Sequence, residues 1–159
     1  LRAFRARRLP VGKDGHGGRV EEIFIRATVS RKATFRCHVF AVWNTVTDFQ
    51  RCGWRSDLQK TELLGEQNFA EYAKDGTKTI FTVTASEPCR RLELDMENGR
   101  MHGHWVGIFA ERGAETEVVF TETVTAKNIF LKPFVRLYLQ KQQARYIADL
   151  TAAVQNAPR

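Results

Sequence analysis

Turn signals recur through the middle of the chain at Gly65-Glu66, Asp75-Gly76, Glu87-Pro88, Asn98-Gly99 and Arg112-Gly113. This spacing, a turn roughly every 10–15 residues, leaves segments of hairpin-strand length between turns. Strands are expected near 58–64, 68–73, 78–85, 90–97, 101–110 and 116–126. The Asp-Gly and Asn-Gly pairs suit type I′ hairpins, whose two central residues need positive φ. Strands joined this tightly pair as antiparallel neighbours, so the pattern is a meander.

Alternation gives the sheet one apolar face. Phe81, Val83 and Ala85 are in phase; so are Leu92, Leu94 and Met96, with Glu93, Asp95 and Glu97 between them; so are Val118, Phe120 and Val124, together with Glu122. An apolar sheet face must be covered. The cover lies at Leu131–Val154, where Leu131, Val135, Leu139, Ile147, Leu150 and Val154 form a helical stripe widened by Tyr138 and Tyr146. Pro133 suits the first turn of that helix, where its missing N–H costs nothing.

Upstream, Ile23 to Phe35 reads as a first strand. Val39, Val42, Trp43 and Val46 have helical spacing, and Gln50 to Ser56 is expected to form a second short helix carrying Trp54. The expected fold is α+β: a curved antiparallel sheet of six to seven strands, two short helices after strand one, and a long C-terminal helix packed across the sheet. Domain bounds are placed at 1–20 for a flexible basic leader, 21–154 for the folded domain and 155–159 for a tail.

The 159 residues suffice for one core. The net charge is +7, but residues 1–20 hold six basic side chains (Arg2, Arg5, Arg7, Arg8, Lys13 and Arg19) against Asp14 alone. The body is therefore almost balanced, and no nucleic-acid partner is expected for it. The longest aromatic-rich uncharged stretch near the start, Cys37 to Thr47, is far short of the ~20 residues of a membrane span. Cys37, Cys52 and Cys89 are odd in number and form no CxxC pair, and His16, His38, His102 and His104 lack finger spacing. Neither a disulfide scaffold nor a zinc module fits. Reduced thiols in a cytoplasmic protein, with no metal and no cofactor, are the expectation. No GxSxG, phosphate-cradling glycine loop or HExxH is present.

Two segments carry a family likeness. Val42-Trp43-Asn44-Thr45-Val46-Thr47-Asp48-Phe49, followed by Trp54 and Leu58, resembles the first helices of the START-like superfamily of polyketide cyclase/dehydrase and lipid transport proteins. Gly103-His104-Trp105-Val106-Gly107-Ile108-Phe109, then Gly113, Thr116 and Val118-Val119-Phe120, resembles their last hairpin. With the C-terminal helix the resemblance covers residues 21–154. Trp54 to Leu58 ("WRSDL") and Lys132 to Phe134 ("KPF") are similar to small bacterial single-domain members. The resemblance implies the helix-grip fold and a small apolar ligand held between sheet and long helix. It leaves room for a minority activity of the aromatic-cyclase type and for co-chaperone-like relatives. The basic leader and the polar first strand depart from the family pattern.

Residues that could serve such a cavity follow from phase and type. His104 shares a strand face with His102, Val106 and Ile108: it is either a polar group in an apolar pocket or a histidine on the solvent face. Glu122, if it faces inward, is a buried carboxylate that must be paired or neutral. On hairpin-neighbour strands, His104 and Glu122 could form an acid–base pair of a cyclase or dehydratase, or a merely structural one. Trp43, Trp54, Phe81, Val83, Leu92, Leu94, Val106, Ile108 and Phe120 are expected in the cavity wall or the adjoining core. Tyr138 and Tyr146 would give it hydroxyl handles. Arg55, Asp57, Asp95 and Glu97 read as surface or rim charges, with a local Arg55–Asp57 pair.

Overall fold

The computed structural model describes residues 24–126 and 132–155. The leader assigned to 1–20 lies outside them. The order is β1 (Ile25–Phe35), α1 (Val39–Thr47), β2 (Leu58–Leu63), β3 (Asn68–Ala73), β4 (Lys78–Glu87), β5 (Arg91–Glu97), β6 (Met101–Arg112), β7 (Glu115–Ala126) and α2 (Lys132–Gln155). All seven strands form one antiparallel sheet in the order β1-β7-β6-β5-β4-β3-β2. The meander and long helix are as the turn spacing and the stripe dictate. This is the helix-grip arrangement.

The second short helix does not form. Residues 48–57 run as separate turns, with Arg51 N–H on the Asp48 carbonyl and Arg55 N–H on the Cys52 carbonyl. Gly53 interrupts the segment, and the tertiary bonds of its polar side chains replace helical ones. Ser56 donates from both its backbone N–H and its hydroxyl to Asp149 Oδ2, at 2.8 Å each, which fastens this loop to α2.

The hairpins also differ from the type I′ expectation. At Asp75-Gly76 only Gly76 has positive φ (87°), and its N–H bonds the Ala73 carbonyl. At Asn98-Gly99 the Asn98 side chain accepts from the N–H groups of Arg100 and Met101, so the side chain closes the turn instead of a left-handed glycine.

The sheet's concave face carries two apolar clusters. One gathers Val42, Trp43, Phe69, Leu92, Phe109, Val118, Phe120, Leu150 and Val154 beneath α1 and the end of α2. The other gathers Val29, Met96, Val124, Val135 and Leu139 beneath the start of α2. On β6 the inward residues are Gly103, Trp105, Gly107 and Phe109. The glycines are needed there. A Cβ on Gly107 would stand 2.5 Å from the Trp105 ring, and one on Gly103 would stand 2.7 Å from the Thr123 carbonyl oxygen. Among the described residues, no helix is long and apolar enough to cross a membrane.

The carbonyl opposite Gly103 belongs to the β6–β7 ladder and cannot swing aside. Gly103→Ala is therefore expected to destabilise the fold by about 1–3 kcal/mol, read from the urea midpoint.

Candidate functional site

Between the two clusters, α2 stands away from the middle strands and leaves a cavity of about 520 Å³. Its walls are aromatic. Phe49 of the 48–57 loop stacks on Phe69 (4.2 Å between centroids), which stacks on Phe81 (5.0 Å). Opposite, Trp105, Phe120, Tyr146 and Trp54 form a second run of ring contacts at 5.0–5.6 Å. Leu94, Met96 and Met101 complete the apolar surface.

One end of the cavity holds buried charge. Arg55 lies against the Tyr146 ring at 4.8 Å and grips Asp57 with two bonds of 2.9 Å, while its third nitrogen reaches Glu71 Oε1 at 3.3 Å. All three side chains are largely shielded from water. Burial disfavours the Arg55 charge, but Glu71 and Asp57 more than offset this and hold it above its ordinary value. Asp57 is pushed up by burial and pulled further down by Arg55, to a net position below the carboxylate range. Glu71 goes the other way, because burial outweighs its single bond to Arg55.

Glu122 also lines the cavity, opposite Trp105 in the ladder. Among the described residues no donor reaches its carboxyl. Burial raises its pKa to about 7, with Arg55 pulling down and Glu71 pushing up. Tyr146 is raised as well, chiefly by burial, so its phenol stays protonated.

Gln143 completes the polar end, from α2. It is 5% exposed, and its Nε2 donates to the carbonyls of Val29 (3.1 Å) and Phe120 (3.4 Å). Its Oε1 is buried and without a partner among the described residues.

Of the residues expected from the sequence, Trp54, Phe81, Leu94, Phe120, Glu122, Tyr138 and Tyr146 line the cavity. Tyr138 is at its mouth, 52% exposed, and its hydroxyl accepts from Gln142. Trp43, Val83 and Leu92 pack in the core instead, Trp43 edge-on to Phe109. His104, Val106 and Ile108 are corrections: they occupy the opposite parity of β6 from Trp105 and point to the outer face. There His104 is bonded to Asp95 (2.6 Å) and Glu93 (3.0 Å). Its register partner is Thr123 while that of Glu122 is Trp105, so the His104–Glu122 acid–base pair does not exist. Arg55 and Asp57 pair as expected, but in the interior and not on the surface. Gln143, Glu71 and Trp105 were not anticipated. The signal for Gln143 was the stripe itself, whose four-residue step from Leu139 lands on it.

A family model described as polyketide cyclase / dehydrase and lipid transport matches residues 26–155. A comparison with curated proteins finds no match. Among solved structures, a START superfamily protein from Mycobacterium smegmatis is similar at TM-score 0.76 and 12% identity, over 82% of this chain and 99% of that one. The di-domain ARO/CYC BexL from the BE-7585A biosynthetic pathway is similar at TM-score 0.65 and 15% identity, over 84% of this chain and 51% of that one. Ara h 8.0201 is similar at 0.68 and 11%, over 82% and 98%. At these identities the likeness is one of fold.

Two outcomes follow from the charges. Arg55→Ala strands Asp57 and Glu71 in the interior and is expected to cost about 3–5 kcal/mol in urea unfolding. For Glu122, the folded pKa of about 7 lies above the ordinary 4.5. The folded state thus holds its proton more tightly between those values, and stability falls as pH rises from 4.5 to 7. Glu122→Gln is expected to match the wild type near pH 4 and to exceed it by roughly 3 kcal/mol above pH 8, measured as paired urea melts across pH.

Proposed function

The chain belongs to the polyketide cyclase / dehydrase and lipid transport family, and from that premise we propose that it binds a small aromatic or otherwise apolar molecule between the sheet and α2. The observation that carries this is the cavity. At about 520 Å³ it falls in the range of small-molecule sites, and its aromatic walls are joined by polar and charged side chains, among them Arg55, Glu71, Glu122, Gln143, Lys141 and Arg145. Removal of apolar ligand area from water supplies the affinity. Glu122, Tyr146 and Gln143 supply orientation.

A domain whose interior served only to hold its fold would close this space with side chains. An acid–base reaction of the cyclase or dehydratase type loses its expected pair, since His104 is on the other side of the sheet. Glu122 retains a proton affinity suited to such work, but no hydrogen bond joins it to a second titratable side chain among the described residues. Binding therefore uses more of what the cavity contains than catalysis does.

Trp54 and Trp105 line the cavity and Trp43 does not, so a bound aromatic is expected to quench part of the tryptophan emission. At a ligand concentration a hundredfold above Kd, the protein is expected to gain about 2.7 kcal/mol, seen as a rise of several degrees in Tm. Leu94→Trp, which fills the cavity, should abolish both effects while leaving a cooperative melt. A panel of apolar aromatics that leaves Tm and emission unchanged in the wild type would refute the proposal.

A further inference from the structure

Three facts about the polar end of the cavity bear on what kind of molecule fits it. The first is the orientation of the Gln143 amide. Its nitrogen faces two carbonyl oxygens, those of Val29 and Phe120. With the amide turned over, an oxygen would face both, so the assignment of Nε2 and Oε1 is settled by its neighbours. The second is that Oε1 is left buried with no donor among the described residues, where the other buried side-chain polar atom without a partner is Arg31 Nε, on β1 opposite Phe120. Buried acceptors in native proteins are almost always satisfied.

The third is position. Val29, whose carbonyl holds Gln143, is the residue paired with Glu122 across β1 and β7, and Phe120 is two residues before Glu122 on the same strand face. The amide from α2 and the carboxyl from β7 therefore meet the cavity over the same rung of the sheet. Neither the Gln143 oxygen nor the Glu122 carboxyl has a donor among the described residues. Arg55, whose charge acts on Glu122, is already held by Asp57 and Glu71.

We propose, building on the binding function above, that the ligand is a neutral aromatic molecule with a hydroxyl at its buried end, which donates to Gln143 Oε1 and accepts from the Glu122 carboxyl. One hydroxyl has the required donor and acceptor, and with a protonated Glu122 it completes both groups without bringing a charge into the cavity. Burial favours that protonated form at neutral pH and below. The other head groups fit less well. A carbonyl or ether accepts from Glu122 but leaves Gln143 Oε1 without a donor. A carboxylate accepts from Glu122 but likewise leaves Gln143 Oε1 without a donor, and it brings a charge into the cavity. An ammonium satisfies both acceptors but must be stripped of water beside Arg55, whose own charge opposes it.

Four probes with one ring system separate these cases: 2-naphthol, 2-methoxynaphthalene, 2-naphthoate and 2-naphthylmethylammonium, titrated by calorimetry into the full chain at pH 6. The expected order places 2-naphthol first, at least tenfold tighter than its methyl ether. Gln143→Met is expected to reduce that preference below threefold, Glu122→Leu to do the same, and Glu122→Gln, which can still donate, to preserve it. Should Gln143→Met fail to fold, the comparison of naphthol with its ether in the wild type still decides. Equal or tighter binding of the ether, the acid or the amine would overturn the hydroxyl assignment while leaving the cavity a binding site. A naphthol preference undiminished in folded Gln143→Met would overturn it too. Absence of binding by all four would remove the binding function and this inference with it.

Discussion

One geometric mismatch underlies the whole molecule: a single helix cannot cover a seven-stranded sheet. Strands lie about 4.8 Å apart, so seven span roughly 29 Å, whereas a helix with its side chains is about 10 Å across. Helix α2 packs chiefly on β1, β7 and α1. The concave face of β3 to β5 must be closed by something else or left open. The 48–57 loop closes part of it, tied to α2 through Ser56 and Asp149 and to β3 through Arg55 and Glu71. What remains open is the cavity. The fold's proportions leave room for it, and the side chains around it decide whether it stays open, how large it is and what it will accept.

The loop that closes the cavity is also what charges it. Arg55 holds the loop by its carboxylate partners and by the Tyr146 ring, and the same guanidinium that anchors the wall opposes the effect of burial on Asp57, Glu71 and Glu122, prevailing only at Asp57. Asp57 takes the bidentate grip and stays ionised. Glu71 receives one bond, and Glu122 receives the field of Arg55 without a bond.

The strands were legible because their ends were. Turn residues at fixed intervals bound β2 to β7 to within two residues of where they lie, since a hairpin's turn chemistry is local. Which face points inward was harder. On β7, Val118, Phe120 and Val124 identify the inner face and place Glu122 there correctly. On β6, the outer phase carries His104, Val106 and Ile108, while the inner carries Gly103, Trp105, Gly107 and Phe109. Two glycines diluted the apolar signal of the true inner face, and they are there because Trp105 and the β7 backbone need the room. The burial of Arg55 was not legible at all from its neighbours. Its local partner Asp57 is visible two residues away, but the groups that take it out of water, Glu71 and Tyr146, come from β3 and α2, and only the tertiary fold brings them together.

The same comparison locates what is unusual. Where local pattern and final structure agree, as in the meander and most of the helix stripe, the residues are apolar and packed. Elsewhere polar groups lie in the interior: Arg55 and Gln143 where the reading of the sequence did not announce them, and Glu122 where the strand period had placed it. A fold selected only for stability would place apolar residues there, because a buried polar atom without a partner is destabilising. Scattered through the core, such exceptions would be independent defects. Arg31 Nε on β1, buried and unpartnered among the described residues, lies outside the cavity lining, but Arg55, Glu122 and Gln143 all line one cavity, contributed by a loop, a strand and a helix distant in sequence. That convergence is the physical reason to regard the polar end as unfinished, and to expect its completion from a molecule that the chain does not itself encode.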